Sequence, residues 1–467
     1  MEYVEYGQKK IPVVASVDVV VAGGGCAGVG AAIAAARYGA KTLLIERMFS
    51  LGGMMTCGLM SKVAISPTNN GLAVEILKRL DAYQGTHYLD SRPEVPIDPE
   101  SMKILLDRMV SEESGVDVRF GTVLSDVVIA KDRQISAVII ENIDGTQAVE
   151  AKYFIDCTGD GQLGFKAGAS WVQGNDKGYS SSPTLMFRVG NCEIEKLMAY
   201  MEANPTYFES VLTTYSNHKL SPAQNRKNIA QDRYAHFADF VKFIKMKADE
   251  NPGMFSEWDM KVLLSRGLIF MNQPKPGHVL VNSSRISLFK GDDSIELSEA
   301  MRTSRKQVEV LFKFMKTFLP GFENSFIMDT GSLLGIRESR RLTGDYMFTE
   351  GDVHSLARFD DAIVSNHGGV EIHSTNGIGT DIRELDPSEF YHVPYRAIIS
   401  RDFDNLFMAG RCFSANHAGL SAARNIAYCT ALGQAAGTAS AKLVSDDMEN
   451  VRAIDIKWLQ SELKAVL

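Results

Sequence analysis

The stretch from Val17 to Gly53 constrains this chain more than any other part of it. It runs Val17-Asp18-Val19-Val20-Val21-Ala22, then Gly23-Gly24-Gly25-Cys26-Ala27-Gly28, then an Ala-rich segment to Gly39, then Lys41-Thr42-Leu43-Leu44-Ile45-Glu46. That is an apolar strand, a G-x-G-x-x-G turn, a helix ended by glycine, and a second apolar strand closing on an acid. Gly23 permits the tight turn, Gly25 lets backbone approach a pyrophosphate, and Gly28 lets helix and strand pack closely. The helix start offers free N–H groups and its positive dipole end to phosphate charge. Glu46 is placed to accept hydrogen bonds from a ribose. A lone glycine fingerprint is weak evidence, but one framed by strand, helix, strand and acid specifies a dinucleotide site.

The 467 residues suffice for two or three domain-sized units with a large core. A net charge of −8 and the lack of a dense Lys/Arg run argue against a nucleic-acid partner. Six cysteines (26, 57, 157, 192, 412, 429) are dispersed with no C-x-x-C pair. Such usage suits a reducing compartment, so cytoplasmic placement is expected, and it argues against a disulfide framework, a zinc site or a dithiol centre. Val13 to Ala22 resembles a signal segment only superficially, because it carries Ser16 and Asp18 and feeds into the glycine turn. No apolar run of about eighteen residues occurs, so no membrane span is expected.

Further along, Gly52-Gly53 lets backbone crowd a bound nucleotide. Asp98-Pro99 is a helix start, and Met102, Leu105, Leu106 and Met109 give that helix one apolar face. Val123–Ala130, Ile135–Ile143 and Gln147–Ile155 read as a meander, its last two runs joined at Asp144-Gly145. The meander delivers the chain to Thr158-Gly159-Asp160-Gly161, a second close-approach turn. Ile194, Leu197, Met198 and Met201 form one amphipathic helix face, and Phe237, Phe240, Val241 and Ile244 another. Ser298 is the expected cap of a helix that stops at Pro320-Gly321. Near the end, Ala409-Gly410-Arg411 is a third glycine turn, and Ser421 to Leu443 reads as one long Ala/Gly-rich helix.

Three glycine turns at strand ends, with the 52–53 doublet, suggest one extended cofactor touched by both ends of the chain. A nicotinamide cofactor needs one fingerprint; FAD is longer, and its flavin can rest at a distant helix N-terminus. The order of the opening motif, Glu46-Arg47 with Gly52-Gly53, Thr158-Gly159-Asp160-Gly161, Arg337-Glu338-Ser339-Arg340-Arg341, Pro394-Tyr395-Arg396, Met408-Ala409-Gly410-Arg411 and Leu432-Gly433-Gln434-Ala435-Ala436-Gly437-Thr438 resembles the bacterial FAD-dependent oxidoreductase family. The resemblance runs from about residue 15 to 445 and is thinnest over 192–265.

This resemblance implies an α/β fold of the glutathione-reductase type. Its Rossmann-like FAD-binding domain would be built from both chain ends, 1–165 (with a meander at about 122–155) and 401–467. Between them, 166–400 would be a mixed α+β substrate or cap domain with a helical insertion at about 192–265. It further implies that Gly23, Gly25 and Gly28, with the N–H groups of Cys26 and Ala27, hold the pyrophosphate. Glu46 would bind the adenosine ribose, Arg47 would lie beside the adenine, and backbone near Leu124 would meet the adenine edge. Gly52, Gly53, Thr158, Gly159 and Asp160 would line the cofactor. Gly410 and Arg411 would approach the ribityl chain, and Ser421, Ala422 and Ala423 would face the flavin pyrimidine. Many flavoproteins carry Asp where Arg411 stands, and an Arg there can pair with phosphate instead.

For the chemistry, His417 precedes the flavin-facing helix and is a candidate acid or base; its alternative is a loop histidine that caps and packs. His373 is a second candidate from the other domain. Arg337, Arg340, Arg341 and Arg396 are candidates for binding a carboxylate or steadying reduced flavin, or for a structural ion-pair knot with Glu338. Cys57 is either a redox thiol or a buried packing residue. The mid-chain histidines fit no metal-ligand spacing. The leading expectation is hydride transfer between flavin N5 and a small organic substrate, with an electron donor or acceptor the sequence does not name. A tRNA-uridine type of modifying enzyme and a non-catalytic flavin sensor are the alternatives.

Overall fold

Residues Val19 to Ala22 are buried on every side, and the rest of the fold is laid around them. The structure is a computed structural model that describes residues 10–65, 71–86, 94–131, 133–208, 236–238, 240–376, 379–383, 385–386, 388–464. Part of the expected leader and the segment 209–235 of the helical insertion lie outside these residues.

The first strand, β1 (Val13–Ala22), is followed by α1 (Cys26–Arg37), β2 (Thr42–Ile45), β3 (Lys62–Ala64), α2 (Leu72–Asp81), β4 (Glu94–Pro96) and α3 (Pro99–Glu112). Asp98 caps α3 as its position before proline requires, accepting the Ser101 N–H at 2.9 Å. Then come β5 (Val116–Arg119), β6 (Val123–Lys131), β7 (Gln134–Asn142), β8 (Gly145–Asp156) and α4 (Gln162–Ala167). The main sheet has the order β5-β2-β1-β8-β7-β6, and β8 also pairs with a strand from the far end of the chain, Leu406–Met408. β8 has two roles. One edge runs parallel to β1 from Ala148 onward, with Val19 beside Tyr153 and Ala22 beside Asp156, while the other edge pairs antiparallel with β7 in its first half and parallel with Leu406–Met408 at its end. The parallel strands are continuous apolar runs because both faces are covered, one by helices that include α1 and α3, the other chiefly by meander residues such as Leu124, Val138 and Ile140 with Leu163 of α4.

α1 lies in the core, and it is built almost wholly of Ala, Gly, Val and Ile because a second helix, Ile426–Ser445, presses on it. A Cβ on Gly433 would fall 1.9 Å from the Ala27 carbonyl oxygen, and one on Gly437 would fall 2.2 Å from that of Ala31. Glycine is the residue that allows such backbone contact.

The middle of the chain forms its own antiparallel sheet. It comprises β10 (Phe187–Gly190), β11 (His236–Phe237), β12 (Phe270–Asn272), β13 (Val279–Val281) and β14 (Phe326–Thr330), while β9 (Trp171–Val172) joins a small ribbon outside it. Helices α5 (Ile194–Ala203), α6 (Val241–Glu250), α7 (Glu257–Arg266) and α8 (Ser294–Phe318) pack on it. Its core is aromatic: Phe237 stacks on Phe270 with centroids 4.8 Å apart, and Phe208, Phe243 and Phe314 follow in edge and tilted contacts.

Three local expectations are corrected here. Phe237 lies in strand β11 and Phe240 is the residue before α6, so the aromatic stripe is shared by strand and helix rather than borne by one helix. α8 is capped by Asp293, whose carboxylate accepts the N–H groups of Ile295 and Glu296; Ser298 sits within the helix and its hydroxyl donates to the Ser294 carbonyl. The long C-terminal helix is two helices. Past β15 (Arg341–Leu342), α9 (Glu350–His354), β16 (Ala362–Asn366), β17 (Val370–His373), β18 (Thr380–Arg383), β19 (Tyr391–Pro394) and β20 (Leu406–Met408), a seven-residue α10 (His417–Ala423) ends at Arg424. Asn425 then turns to extended backbone (φ −63°, ψ 152°) and α11 (Ile426–Ser445) starts afresh. No helix among the described residues is long and apolar enough to cross a membrane.

Candidate active site

The glycine turns named from the sequence meet one another. Gly23 (φ +97°) folds so tightly that a Cβ would stand 2.6 Å from the Cys157 carbonyl oxygen, and a Cβ on Gly28 would stand 1.8 Å from Gly23 O. Gly53 packs on Gly25, and the Gly52 N–H donates to Gly24 O at 2.8 Å. Gly410 (φ +86°) brings the third turn against Ala27, and Gly159 lies under the Arg411 guanidinium. Gly25 is different from its neighbours: a Cβ there would meet nothing within 4 Å. α1 begins at that open spot with no side-chain cap and no acid in its first turn, so its first N–H groups point outward unpaired by side chains.

Glu46 is buried, and its two carboxylate oxygens accept the N–H groups of Gly24 (2.6 Å) and Met48 (2.7 Å). Burial raises its pKa against those two hydrogen bonds. Exposed Arg47 follows it, and Leu124 is buried in β6 next to Thr122, whose N–H donates to Glu46 O at 3.0 Å. The second turn is anchored by a residue not singled out from the sequence. Asp156 Oδ1 accepts the Thr158 N–H (3.0 Å) and hydroxyl (2.7 Å), and Oδ2 accepts the Gly164 N–H (3.0 Å). Asp160 is paired with Arg411 at 3.0 Å. Burial works to raise the Asp160 pKa, but Arg411, the Ser339 hydroxyl and Arg47 bring it below the usual carboxylate range. The second and third turns are thus joined by an ion pair, with Asp160 from one and Arg411 from the other.

The segment Arg337 to Arg341 is a hub, each side chain reaching a different element. Arg337 donates to Ser182 O and to Thr184 Oγ1. Glu338 accepts the Ser181 N–H at 3.0 Å and is ion-paired with Arg341. Ser339 donates to Asp160 Oδ1 at 2.7 Å, which ties the hub to the second glycine turn. Arg340 donates to Asp160 O at 3.1 Å and lies over the Phe165 ring. Arg341 donates to Ala415 O at 2.8 Å, two residues before His417.

His417 Nδ1 stands 2.7 Å from Glu338 Oε2. That oxygen already accepts the Ser181 N–H, so with Oε2 as acceptor Nδ1 carries the proton and Nε2 has the lone pair. Burial, then Arg341 and Arg424, push the imidazole down to about 4, against smaller upward pulls from Asp176 and Glu350. It is neutral at pH 7.

His373 is placed otherwise. Nδ1 faces Arg285 Nη2 at 2.9 Å and Nε2 faces Glu371 Oε1 at 3.1 Å. Arginine only donates, so Nδ1 accepts and Nε2–H points to Glu371; both ring atoms are engaged. Burial, then Arg337, hold its pKa well down. Arg396 is not brought to this group. It is half-exposed, paired with Asp361 at 2.9 Å and laid over Tyr346. Cys57 is buried, its sulfur 3.0 Å from Ser50 Oγ. No cluster of His, Cys, Asp or Glu among the described residues has the makings of a metal site.

A family model described as FAD dependent oxidoreductase matches residues 18–463. The chain belongs to the FAD-dependent oxidoreductase family. A thiamine thiazole synthase of Methanococcus vannielii is 33% identical over 152 residues, covering 31% of this chain and 56% of that protein. Another, from Pyrococcus horikoshii, is 28% identical over 154 residues, covering 31% and 58%. The chain thus spans a little over half the length of these curated relatives. A geranylgeranyl bacteriochlorophyll reductase-like protein from Thermoplasma acidophilum shares the fold, with a TM-score of 0.50 and 13% identity over 96% of this chain and 83% of that one.

The residues of this FAD-dependent oxidoreductase fit FAD. The open position at Gly25 and the uncapped start of α1 suit a pyrophosphate, and the Asp160–Arg411 pair lies where the second and third turns meet. Two helix starts, those of α10 and α11, stand at this end of the chain. Ser421, Ala422 and Ala423 are buried in the last turn of α10, and the Ala422 carbonyl is already taken by Asn366 Nδ2 at 3.2 Å. The first N–H groups of α11 follow Asn425.

Proposed function

We propose that this family member transfers hydride between FAD and a small organic substrate at the face where the Arg337–Arg341 hub meets the glycine turns. When bound, FAD supplies the hydride chemistry at flavin N5. The protein supplies a proton-handling group. The observation that carries this reading is the Arg341–Glu338–His417 relay: the carboxylate fixes the Nδ1–H tautomer and leaves the Nε2 lone pair as the atom that takes a proton from substrate, or returns it. Ser339 and Arg340, bonded to the second glycine turn, hold that relay in register with the cofactor cradle. His373, with both nitrogens engaged, orients Arg285 and Glu371.

The test is anaerobic flavin reduction followed by the visible spectrum across a substrate panel, in wild type and His417→Gln. The expected result is normal flavin content and reduction slowed by about 10²- to 10⁴-fold, the usual share of general acid–base catalysis. Unchanged reduction in the variant would remove His417 from the mechanism. A protein that purifies colourless and takes up no FAD would overturn the whole reading.

A further inference from the structure

Four arginines stand together with too little negative charge among them. Of the four arginines whose side chains are nearly fully buried, Arg188 is paired with Asp329 and Arg341 with Glu338. The other two, Arg285 and Arg337 (4% and 7% exposed), have only neutral acceptors among the described residues. Arg285 reaches Gly379 O at 2.7 Å, His373 Nδ1 at 2.9 Å and Thr380 Oγ1 at 3.2 Å, and its buried Nε has no hydrogen-bond partner among the described residues. Arg337 reaches Ser182 O and Thr184 Oγ1. Two half-buried arginines join them. Arg266 donates to Asn282 O (2.8 Å) and Oδ1 (2.9 Å), and Arg424 approaches the Glu371 carbonyl at 3.5 Å.

The connections make this one group. Ser182 Oγ donates to Ser374 O at 2.7 Å, which places the Arg337 contact beside His373, and Ser284 Oγ donates to the Leu185 carbonyl beside Thr184. Glu371 is the one carboxylate that faces the four, hydrogen-bonded to His373, with 45% of its side chain still accessible. Guanidinium groups stay charged at any working pH, and taking them from water without counter-charge costs several kcal/mol each. The charges register on one another. Burial first, then Arg266, Arg424 and Arg285, draw Arg337 well below the ordinary arginine range, and Glu371 is held below the carboxylate range by His373, Arg424 and Arg337 against its burial. A fold that spent such energy on stability alone would supply carboxylates, as it does for Arg188 and Arg341.

We infer that the Arg266, Arg285, Arg337 and Arg424 guanidiniums form a receptor for an oxyanion group on the substrate, a carboxylate or a phosphate. This rests on the function proposed above and narrows its substrate to an acidic small molecule. Planar forks of N–H donors match either oxyanion in bidentate fashion. The receptor stands beside the relay: Arg337 precedes Glu338 in sequence, and Arg424 is among the charges felt by His417.

The experiment uses the FAD-loaded protein and two readouts other than turnover: thermal unfolding, and perturbation of the flavin spectrum. Acetate, succinate, benzoate and inorganic phosphate are titrated to millimolar levels against neutral succinamide and benzamide at matched ionic strength. At least one oxyanion is expected to raise the Tm saturably while its amide does not; the carboxylates and phosphate distinguish the two forms of the group. Arg337→Gln and the half-buried Arg424→Gln should weaken that binding by ~10- to 100-fold with FAD retained. If Arg337→Gln does not fold, Arg424→Gln and the acid-versus-amide comparison in wild type decide the matter. Amides that bind as well as acids, or no response to any anion, would overturn the inference. A protein that holds FAD and is reduced by neutral substrates alone loses this inference and keeps the function; one that takes up no FAD loses the function itself.

Discussion

The Nδ1 atom of His417 lies 2.7 Å from Oε2 of Glu338, a residue 79 positions away in the chain, and that oxygen also accepts the Ser181 N–H at 3.0 Å. One carboxylate therefore fixes an imidazole tautomer, the extended backbone at Ser181 and, through its other oxygen, the Arg341 guanidinium. Replacing it with an amide removes all three constraints at once. Glu338→Gln should lower flavin-reduction rates nearly as far as His417→Gln, because the amide can donate to Nδ1 and favour the wrong tautomer. It should also destabilise the fold by about 3–5 kcal/mol, since Arg341 is left buried without its charge partner. Urea unfolding and stopped-flow reduction measure the two losses separately. His417→Gln should show the kinetic loss with a much smaller loss of stability.

Two glycines separate folding from cofactor binding. Gly25 has negative φ (−69°) and open space where a Cβ would go, so Gly25→Ala should leave unfolding of the apoprotein within about 0.5 kcal/mol of wild type while weakening FAD retention. Gly433→Ala drives a methyl to 1.9 Å from the Ala27 carbonyl oxygen, a backbone atom that moves only with α1. It should cost about 3 kcal/mol or more in urea unfolding. Equal FAD affinity in Gly25→Ala would show that the pyrophosphate lies elsewhere.

Cys26 should be the most reactive of the six thiols. It opens α1, is partly exposed, and a hydrogen bond from Cys429 is the main cause of its lowered pKa. Burial raises Cys157 and Cys412, takes Cys192 to about 12, and the Cys26 contact raises Cys429. Timed iodoacetamide labelling at neutral pH with peptide mapping should find Cys26 first, and FAD should slow it. Faster labelling at another cysteine, or no protection by FAD, would contradict the placement.

Stability should fall on mild acidification. His417 titrates near 4 in the folded protein and His373 lies well below its ordinary value, whereas unfolded histidine titrates near 6.5. Between those values the unfolded chain binds more protons than the folded one, so stability is complete above about pH 6.5 and declines as pH falls toward 4. Tm measured against pH should show that slope, and it should be shallower in His417→Gln. Identical slopes would mean that His417 is already charged when folded.

The opening strand–turn–helix and the two later glycine turns were legible because each carries its physics locally. A Gly with positive φ or a Cβ-free contact leaves a residue type that cannot be substituted silently, as at Gly23 and Gly410. The caps were readable where the signal stood alone, as at Asp98-Pro99. At α8 the expected cap, Ser298, lies nearer the apolar stripe, while the residue that caps the helix, Asp293, stands a full turn earlier. The break at Arg424-Asn425 was hidden by the run of small residues on both sides, which continues the same composition through two helices. Phe237 and Phe240 happened to have helical spacing, yet the sheet claimed the first of them. The arginine group had no local signature whatever. Arg266, Arg285, Arg337 and Arg424 come from four separate segments, and only the packing of the middle sheet against the hub gathers them.

β20 and α11 complete a structure whose other parts precede them by hundreds of residues. β8 lacks its outer parallel neighbour until Leu406–Met408 arrives, and α1 lacks the helix that Gly433 and Gly437 bring against it. During synthesis, the apolar flank of α1 and the flank of β8 therefore leave the ribosome long before their partners exist. Such late, distant pairing slows folding and leaves sticky surface open in the meantime. If FAD is held as proposed, its uptake waits for residues 406–445 to be made. A ribosome-bound chain halted before that point should be a client of chaperones rather than a half-built flavoprotein.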